Sequence, residues 1–375
     1  RSGSVTGVQT CALPIYCIFA AGYWFPRLTV YSSASGWQYK PFLGGGEYAL
    51  EFGDYDVSLT VPADHIVAAT GELANPAQVL SPSQRERLRK ARDAAAPVMI
   101  VTPDEAEAAE SRRSEGSKTW RFRAENVRDF AFASSRKFIW DAMGVPQNDA
   151  ARPFVMAMSF YPKEARPLWD AYSTRAMAHT LEVFRDFTFA YPYPVVQSVN
   201  GPAFGIEHPM ISFTSARPAR AADSAAITYS ELTKISLITT IIHETGHNWF
   251  PMVVNSDERQ WSWLDEGLVS FLQIQAVQRW DRNFTLLRVD PRRIAPAMKK
   301  QGHAPIMAAT DELTDIKHSA YAKPAAALTL LRETVLGPAA FDEALREYAN
   351  RWRFRRATPY DFFRTMQSEI GRAHV

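Results

Sequence analysis

The chain has 375 residues, 46% of them hydrophobic and 12% aromatic, which is enough apolar content for one large core or two smaller ones and too much for a disordered protein. Its formal net charge is +2 and it has no block of Lys or Arg, which speaks against nucleic acid as a partner.

The ends come first. "VTGVQTCALPI" (Val5 to Ile15) and "EIGRAHV" (Glu369 to Val375) can be written in codons that overlap as reverse complements, as a sequencing-library adapter does when read in both directions. Residues 1–15 and 369–375 are therefore expected to be technical scars, and the chain between them a fragment cut at both ends. The apolar run from Cys11 to Phe25 imitates a signal peptide or a membrane span. Half of it is adapter, it contains Pro14, and it is shorter than the roughly 20 residues a span needs. No membrane span is expected in this fragment. With Cys11 in the adapter, Cys17 stands alone, so no disulfide or cysteine metal site is expected and redox logic leaves the compartment unread.

Residues 16–74 read as β-structure, with alternation in "DVSLTV" (Asp56 to Val61) after a turn at Gly53 and Asp54. The region of about 75–117 changes texture: "SPSQRERLRKARDAAA" reads as a charged helix and "DEAEAAESRRSEG" as a polar loop, together a surface insertion. "KTWRFRAE" resumes strand-like sequence, so residues 16–127 are expected to be a partial N-terminal β-domain. From residue 128 strands and long helices alternate, which marks a second domain running to residue 368. "PFVMAMSF" reads as a buried strand, Trp169 to Ala190 as an amphipathic helix, and "PVVQSV" and "AFGIEHPMISF" as further strands. "TYSE" (Thr228 to Glu231) has the form of a capping box opening a helix to about Trp249, stopped by Pro251. "SWLD" (Ser262 to Asp265) is expected to cap a helix through Trp280. Another helix, with Pro324 in its first turn, should end at Gly337, and "TPYD" (Thr358 to Asp361) opens one more.

Within "IIHETGHNWF", His243 and His247 are four apart, so on a helix both imidazoles aim at one point. Zinc takes neutral imidazole readily and, when catalytic, wants three protein ligands and an open water position. Glu244 sits beside that face, placed to take a proton from the activated water. Eighteen residues separate His247 from Glu266 in "WLDEG", and the break at Pro251 followed by a new helix can fold Glu266 back as the third ligand. Phe250 and Val253 stand where a metzincin would carry Gly and a third His.

"HETGHNWF…WLDEG" resembles the zinc aminopeptidases of the alanyl aminopeptidase and leukotriene hydrolase family, with their HExxH, eighteen residues, then Glu. The resemblance implies an α+β fold, a β-domain remnant followed by a thermolysin-like zinc metallopeptidase domain, and one bound Zn2+. "FGIEHP" (Phe204 to Pro209) is similar to the family's exopeptidase signature. It implies that Glu207 binds the α-amine of a peptide with a free N-terminus and that the Gly205 backbone lines the peptide. Phe204, Ile206 and His208 depart from that signature, and His208 reads as structural. "YAKPAAALTLL" resembles the family's Tyr-x-Lys-Gly helix start with Pro324 in place of Gly, which implies Tyr321 as an oxyanion donor. The activity implied is removal of N-terminal residues from peptides. A thermolysin-like endopeptidase, an epoxide hydrolase of the leukotriene type and a non-catalytic module on the same fold stay open as alternatives.

Overall fold

The computed structural model describes residues 8–10, 18–33, 35–39, 47–201, 205–220, 227–283, 291–299 and 304–373. Among the features expected from sequence, both cysteines, Leu13, Ile15, Phe204 and the last two residues lie outside the described residues. The chain divides into two compact units that interleave in sequence. The first comprises residues 1–26, 53–181 and 191–245, and the second residues 27–52, 182–190 and 246–375.

The first unit opens with antiparallel β-structure. Gly53–Pro62 pairs with Ser117–Val127, whose alternation buries Trp120, Phe122 and Ala124 and leaves the residues between them exposed. A second sheet joins Phe19–Ala21, Phe132–Ser135 and Ile66–Ala69, with Val8–Thr10 along its edge. This N-terminal region is β-rich, as the sequence leads one to expect.

The same unit holds a six-stranded sheet of β1 (Val98–Val101), β2 (Ile139–Pro146), β3 (Phe154–Tyr161), β4 (Val195–Asn200), β5 (Gly205–His208) and β6 (Ile211–Thr214), in the order β5-β6-β4-β3-β2-β1. The central pairs β3/β4 and β4/β6 are parallel and the outer ones antiparallel. Every residue of β4 is buried, as in a strand covered on both faces, including the polar Gln197, Ser198 and Asn200. Helix α1 (Leu168–Phe187) follows β3 and is tied to it where Ser159 Oγ meets Ser173 Oγ and Thr174 Oγ1, each at 2.7 Å.

Two expectations for residues 75–117 give way to the structure. Val98–Val101 is the edge strand β1 of the six-stranded sheet, so the region is built into the fold rather than laid on its surface. Pro103–Ser111 is a helix rather than a loop. Thr102 Oγ1 accepts from the Glu105 amide (3.2 Å), the Glu105 carboxylate accepts from the Thr102 amide (2.8 Å), and Arg87 clamps that carboxylate at 2.7 and 3.0 Å. A strongly polar composition hid the cap.

Helix α2 (Glu231–Gly246) carries the histidine motif, and its Leu237, Ile238, Ile241 and Ile242 are fully buried. A helix apolar on most sides belongs in an interior. Its cap differs from expectation. Thr228 lies in a short strand opposite Ala219, and Ser230 Oγ accepts from the Thr233 amide at 3.1 Å. Its regular hydrogen bonding stops at Gly246, where the chain passes into the second unit, and a turn follows with Met252 N donating to His247 O.

In the second unit, α3 (Glu266–Trp280) lies among the helices Lys323–Leu330, Pro338–Arg351 and Pro359–Ala373. Phe271 meets Phe341 at 5.3 Å between ring centroids, and Tyr348 meets Phe362 at 4.9 Å. Ser262 does not cap α3: Ser262–Leu264 form a 3-10 turn, and Asp265 takes the cap position without a side-chain cap bond. Thr358 does open the last helix, accepting from the Asp361 amide while Asp361 accepts from the Thr358 amide. That helix continues through Ala373, and its Glu369 lies 3.2 Å from Arg351.

Candidate active site

The site residues divide between the two units. In the first, Gly205 and Glu207 lie on β5, and His243 and Glu244 in the last turn of α2. Glu207 is buried and pairs in register with Ser212, and Glu244 is also buried. Their carboxylate oxygens come within 4.8 Å of each other. A Cβ added to Gly205 would stand 2.3 Å from Glu244 Oε1, so glycine is needed there for the strand backbone to approach the carboxylate.

His208 points to the other side of β5, as strand alternation requires. Its Nδ1 lies 2.8 Å from Asp129 Oδ2 with both side chains buried, and the Phe130 amide donates to Asp129 Oδ1 at 2.6 Å. The structural reading of His208 agrees with this arrangement. A Cβ on Gly22 would come within 2.4 Å of His208 Nε2, so the ring is also closed in from that side. The partner Asp129 has no signal in the sequence that separates it from any other acidic residue near a strand.

In the second unit His247 stands directly after the last residue of α2. His247 Nδ1 donates to the Phe250 carbonyl at 3.0 Å, and its Nε2 lies 3.5 Å from Glu266 Oε2. Tyr321 donates its phenol to Glu266 Oε1 at 2.5 Å. Tyr321 belongs to a π-helical turn, Lys317–Ala322, that runs straight into the helix containing Pro324. A Cβ on Gly267 would meet Pro324 Cγ at 2.7 Å, so the glycine after Glu266 is what lets that helix come close.

Asp265, read from sequence as part of a helix cap, does something else. It is almost fully buried, and its Oδ1 stands 2.8 Å from His247 Nδ1. Burial holds its pKa well above the ordinary carboxylate value, opposed by His247 and reinforced by the charges of Glu266 and Glu258.

Residues 172–374 match the peptidase family M1 domain. The chain belongs to peptidase family M1. Among curated relatives, glutamyl aminopeptidase of Bitis rhinoceros is 26% identical over 147 residues, covering 37% of this chain and 15% of that protein. Aminopeptidase M1-B of Oryza sativa subsp. japonica is 25% identical over 215 residues, covering 51% of this chain and 23% of its own length. The chain thus spans less than a quarter of these relatives. A crystal structure of an M1 zinc metallopeptidase from Deinococcus radiodurans superposes with a TM-score of 0.63 at 16% identity, covering 95% of this chain and 66% of that one. A mutant of the same enzyme bound to a Tyr-Ser-Ala substrate gives 0.59, over 98% and 69%. At such identity the superposition speaks for the fold: this M1 chain has the mixed helix and strand architecture of the zinc metallopeptidases.

The residues present fit a zinc ion. Two imidazoles and a carboxylate are the donor set that a catalytic zinc takes, and the Nδ1 hydrogen bond of His247 fixes the tautomer that coordination through Nε2 needs. Among the described residues of this M1 chain, no helix is long and apolar enough to cross a membrane.

Proposed function

We propose that this chain is the catalytic part of a zinc aminopeptidase that hydrolyses the N-terminal peptide bond of peptides. His243, His247 and Glu266 hold one Zn2+. The observation that carries the reading is the pairing of His247 Nε2 with Glu266, with Tyr321 on that same carboxylate, in a chain of the M1 family.

When bound, the zinc supplies Lewis acidity toward a carbonyl and toward water. Glu244 takes the proton of the attacking water and delivers it to the leaving amine, a task suited to a carboxylate fixed beside the ligands. Tyr321 donates its phenol to the developing oxyanion, a role supported by its hydroxyl lying beside Glu266. Glu207 binds the free α-amine, and the Gly205 backbone lines the peptide. An ammonium anchored by a carboxylate 4.8 Å or less from the base restricts cleavage to the first peptide bond.

The test compares a free-amine peptide with its N-acetylated twin in the zinc-loaded full-length enzyme. Removing one partner of a desolvated charge pair costs about 2–5 kcal/mol, so Glu207→Ala should weaken use of the free-amine peptide by on the order of 30-fold to several thousand-fold. Zinc content should be unchanged, and the poor cleavage of the acetylated twin should stay as it was. Equal use of both peptides by the unmutated enzyme would mark a thermolysin-like endopeptidase instead.

A further inference from the structure

The first unit holds a cavity of about 510 Å3 whose lining includes none of the proposed catalytic or zinc-binding residues. Its size falls in the roughly 300–1,000 Å3 range of small-molecule sites. Four stretches of chain converge on it, around residues 19–21, 60–65, 113 and 132–136. The antiparallel pairing of Phe19–Ala21 with Phe132–Ser135 sets Phe19 opposite Ser134 and Ala21 opposite Phe132. Side chains at these four positions therefore share one face, and all four line the cavity. Val61 and Pro62 extend the apolar wall, while Phe19 is left 41% exposed.

A few polar groups reach the same space. His65 and Ser134 are buried, with His65 Nδ1 2.8 Å from Ser134 Oγ. Burial, and after it the charge of Arg136, push the imidazole down to about 4, so the ring is neutral at pH 7. The charge at the cavity is therefore arginine's. Arg136 is balanced by Asp64, with Nε 3.1 Å from Oδ2. Arg113 is exposed and has no acidic partner among the described residues. One uncompensated guanidinium beside an apolar wall suits a monoanion; a phosphate monoester would bring a charge of about −1.5 to −2.

We propose that this cavity binds a small organic carboxylate with an apolar body, the carboxylate against Arg113 and the body against Phe19 and Phe132. The site is independent of the zinc reading and stands or falls without it.

Calorimetric titration of the purified protein with hydrocinnamate, hydrocinnamyl alcohol and acetate separates head from body. Hydrocinnamate should bind in a single saturable event, and more tightly than either of the others. Arg113→Ala should weaken hydrocinnamate by about three- to fivefold, the scale of an exposed ion pair, and leave the alcohol unchanged. Val61→Trp, which fills the cavity, should abolish binding of both. If Val61→Trp does not fold, by its thermal midpoint, the exposed Arg113→Ala carries the test. No saturable hydrocinnamate binding overturns the proposal, as does alcohol binding of equal strength, which removes the charge from recognition. Acetate binding of equal strength removes the apolar wall and overturns it too. Hydrocinnamate binding undiminished in Arg113→Ala places the ligand elsewhere.

Discussion

Gly205 and Glu244 show how little room the proposed chemistry leaves. The base carboxylate lies so close to the strand that a methyl group would sit 2.3 Å from Oε1, nearer than van der Waals contact allows. Gly205→Ala should therefore displace Glu244 or push β5 away, and lower turnover with zinc still bound. Glu244→Gln removes the proton acceptor and should cost about 10²–10⁴-fold in turnover, again with zinc retained. Elemental analysis beside peptide hydrolysis distinguishes these from a lost metal. A Gly205→Ala enzyme with unaltered turnover would mean that the strand yields freely and the close approach has no catalytic meaning. The identities of these residues were legible in the sequence, as the HExxH spacing and the FGIEHP stretch. Asp129 and Asp265 were not, because an acidic residue is recognised only by what surrounds it.

Among the elements, β2, β3 and α1 share a buried polar knot. Asp141 accepts from Thr174 Oγ1 at 2.5 Å and from Tyr161 at 2.6 Å, yet it is fully buried. Desolvation outweighs both hydrogen bonds and lifts its pKa from 3.8 to about 7. The folded pKa is raised, so the fold favours the protonated carboxyl. That contribution is complete below about pH 4 and is lost as pH rises through about 7. Asp141→Asn mimics the protonated form at every pH. Relative to the unmutated protein it should gain roughly 2–3 kcal/mol of stability between about pH 5 and about pH 8. Denaturant midpoints across that range give the measurement, and parallel curves for the two proteins would rule out a titrating Asp141. Element positions were largely legible: the strand at "PFVMAMSF" and the helix after residue 168 follow from apolar period. The helix Pro103–Ser111 was missed because its cap, not its apolar content, makes it. Val98–Val101 was missed because a four-residue edge strand has too few positions to show a period.

For the whole molecule, the proposed ligands come together only when the segment between His247 and Glu266 folds back, so zinc should act as a ligand of the folded state. A metal at 1,000 times its dissociation constant stabilises a fold by about 4 kcal/mol if it does not bind the unfolded chain. Adding Zn2+ to metal-free protein should raise the thermal midpoint by several degrees, and His247→Ala should abolish the rise. A midpoint indifferent to zinc and to chelator would remove the metal from the account.

The sequence alone determined the kind of chemistry: two imidazoles one helical turn apart and a carboxylate beside them follow from the 3.6-residue period, which is local and needs no tertiary knowledge. It also determined the family and the β-rich start, because alternation and spacing are written along the chain. Only the tertiary structure decided which carboxylates meet which rings. Glu266 comes to His247 because the chain turns back across eighteen residues, and Asp265 meets the same ring because α3 begins one residue later. His208 turned out to be held by Asp129 from 79 residues away. Burial and partners at that range depend on packing, and packing has no period to read.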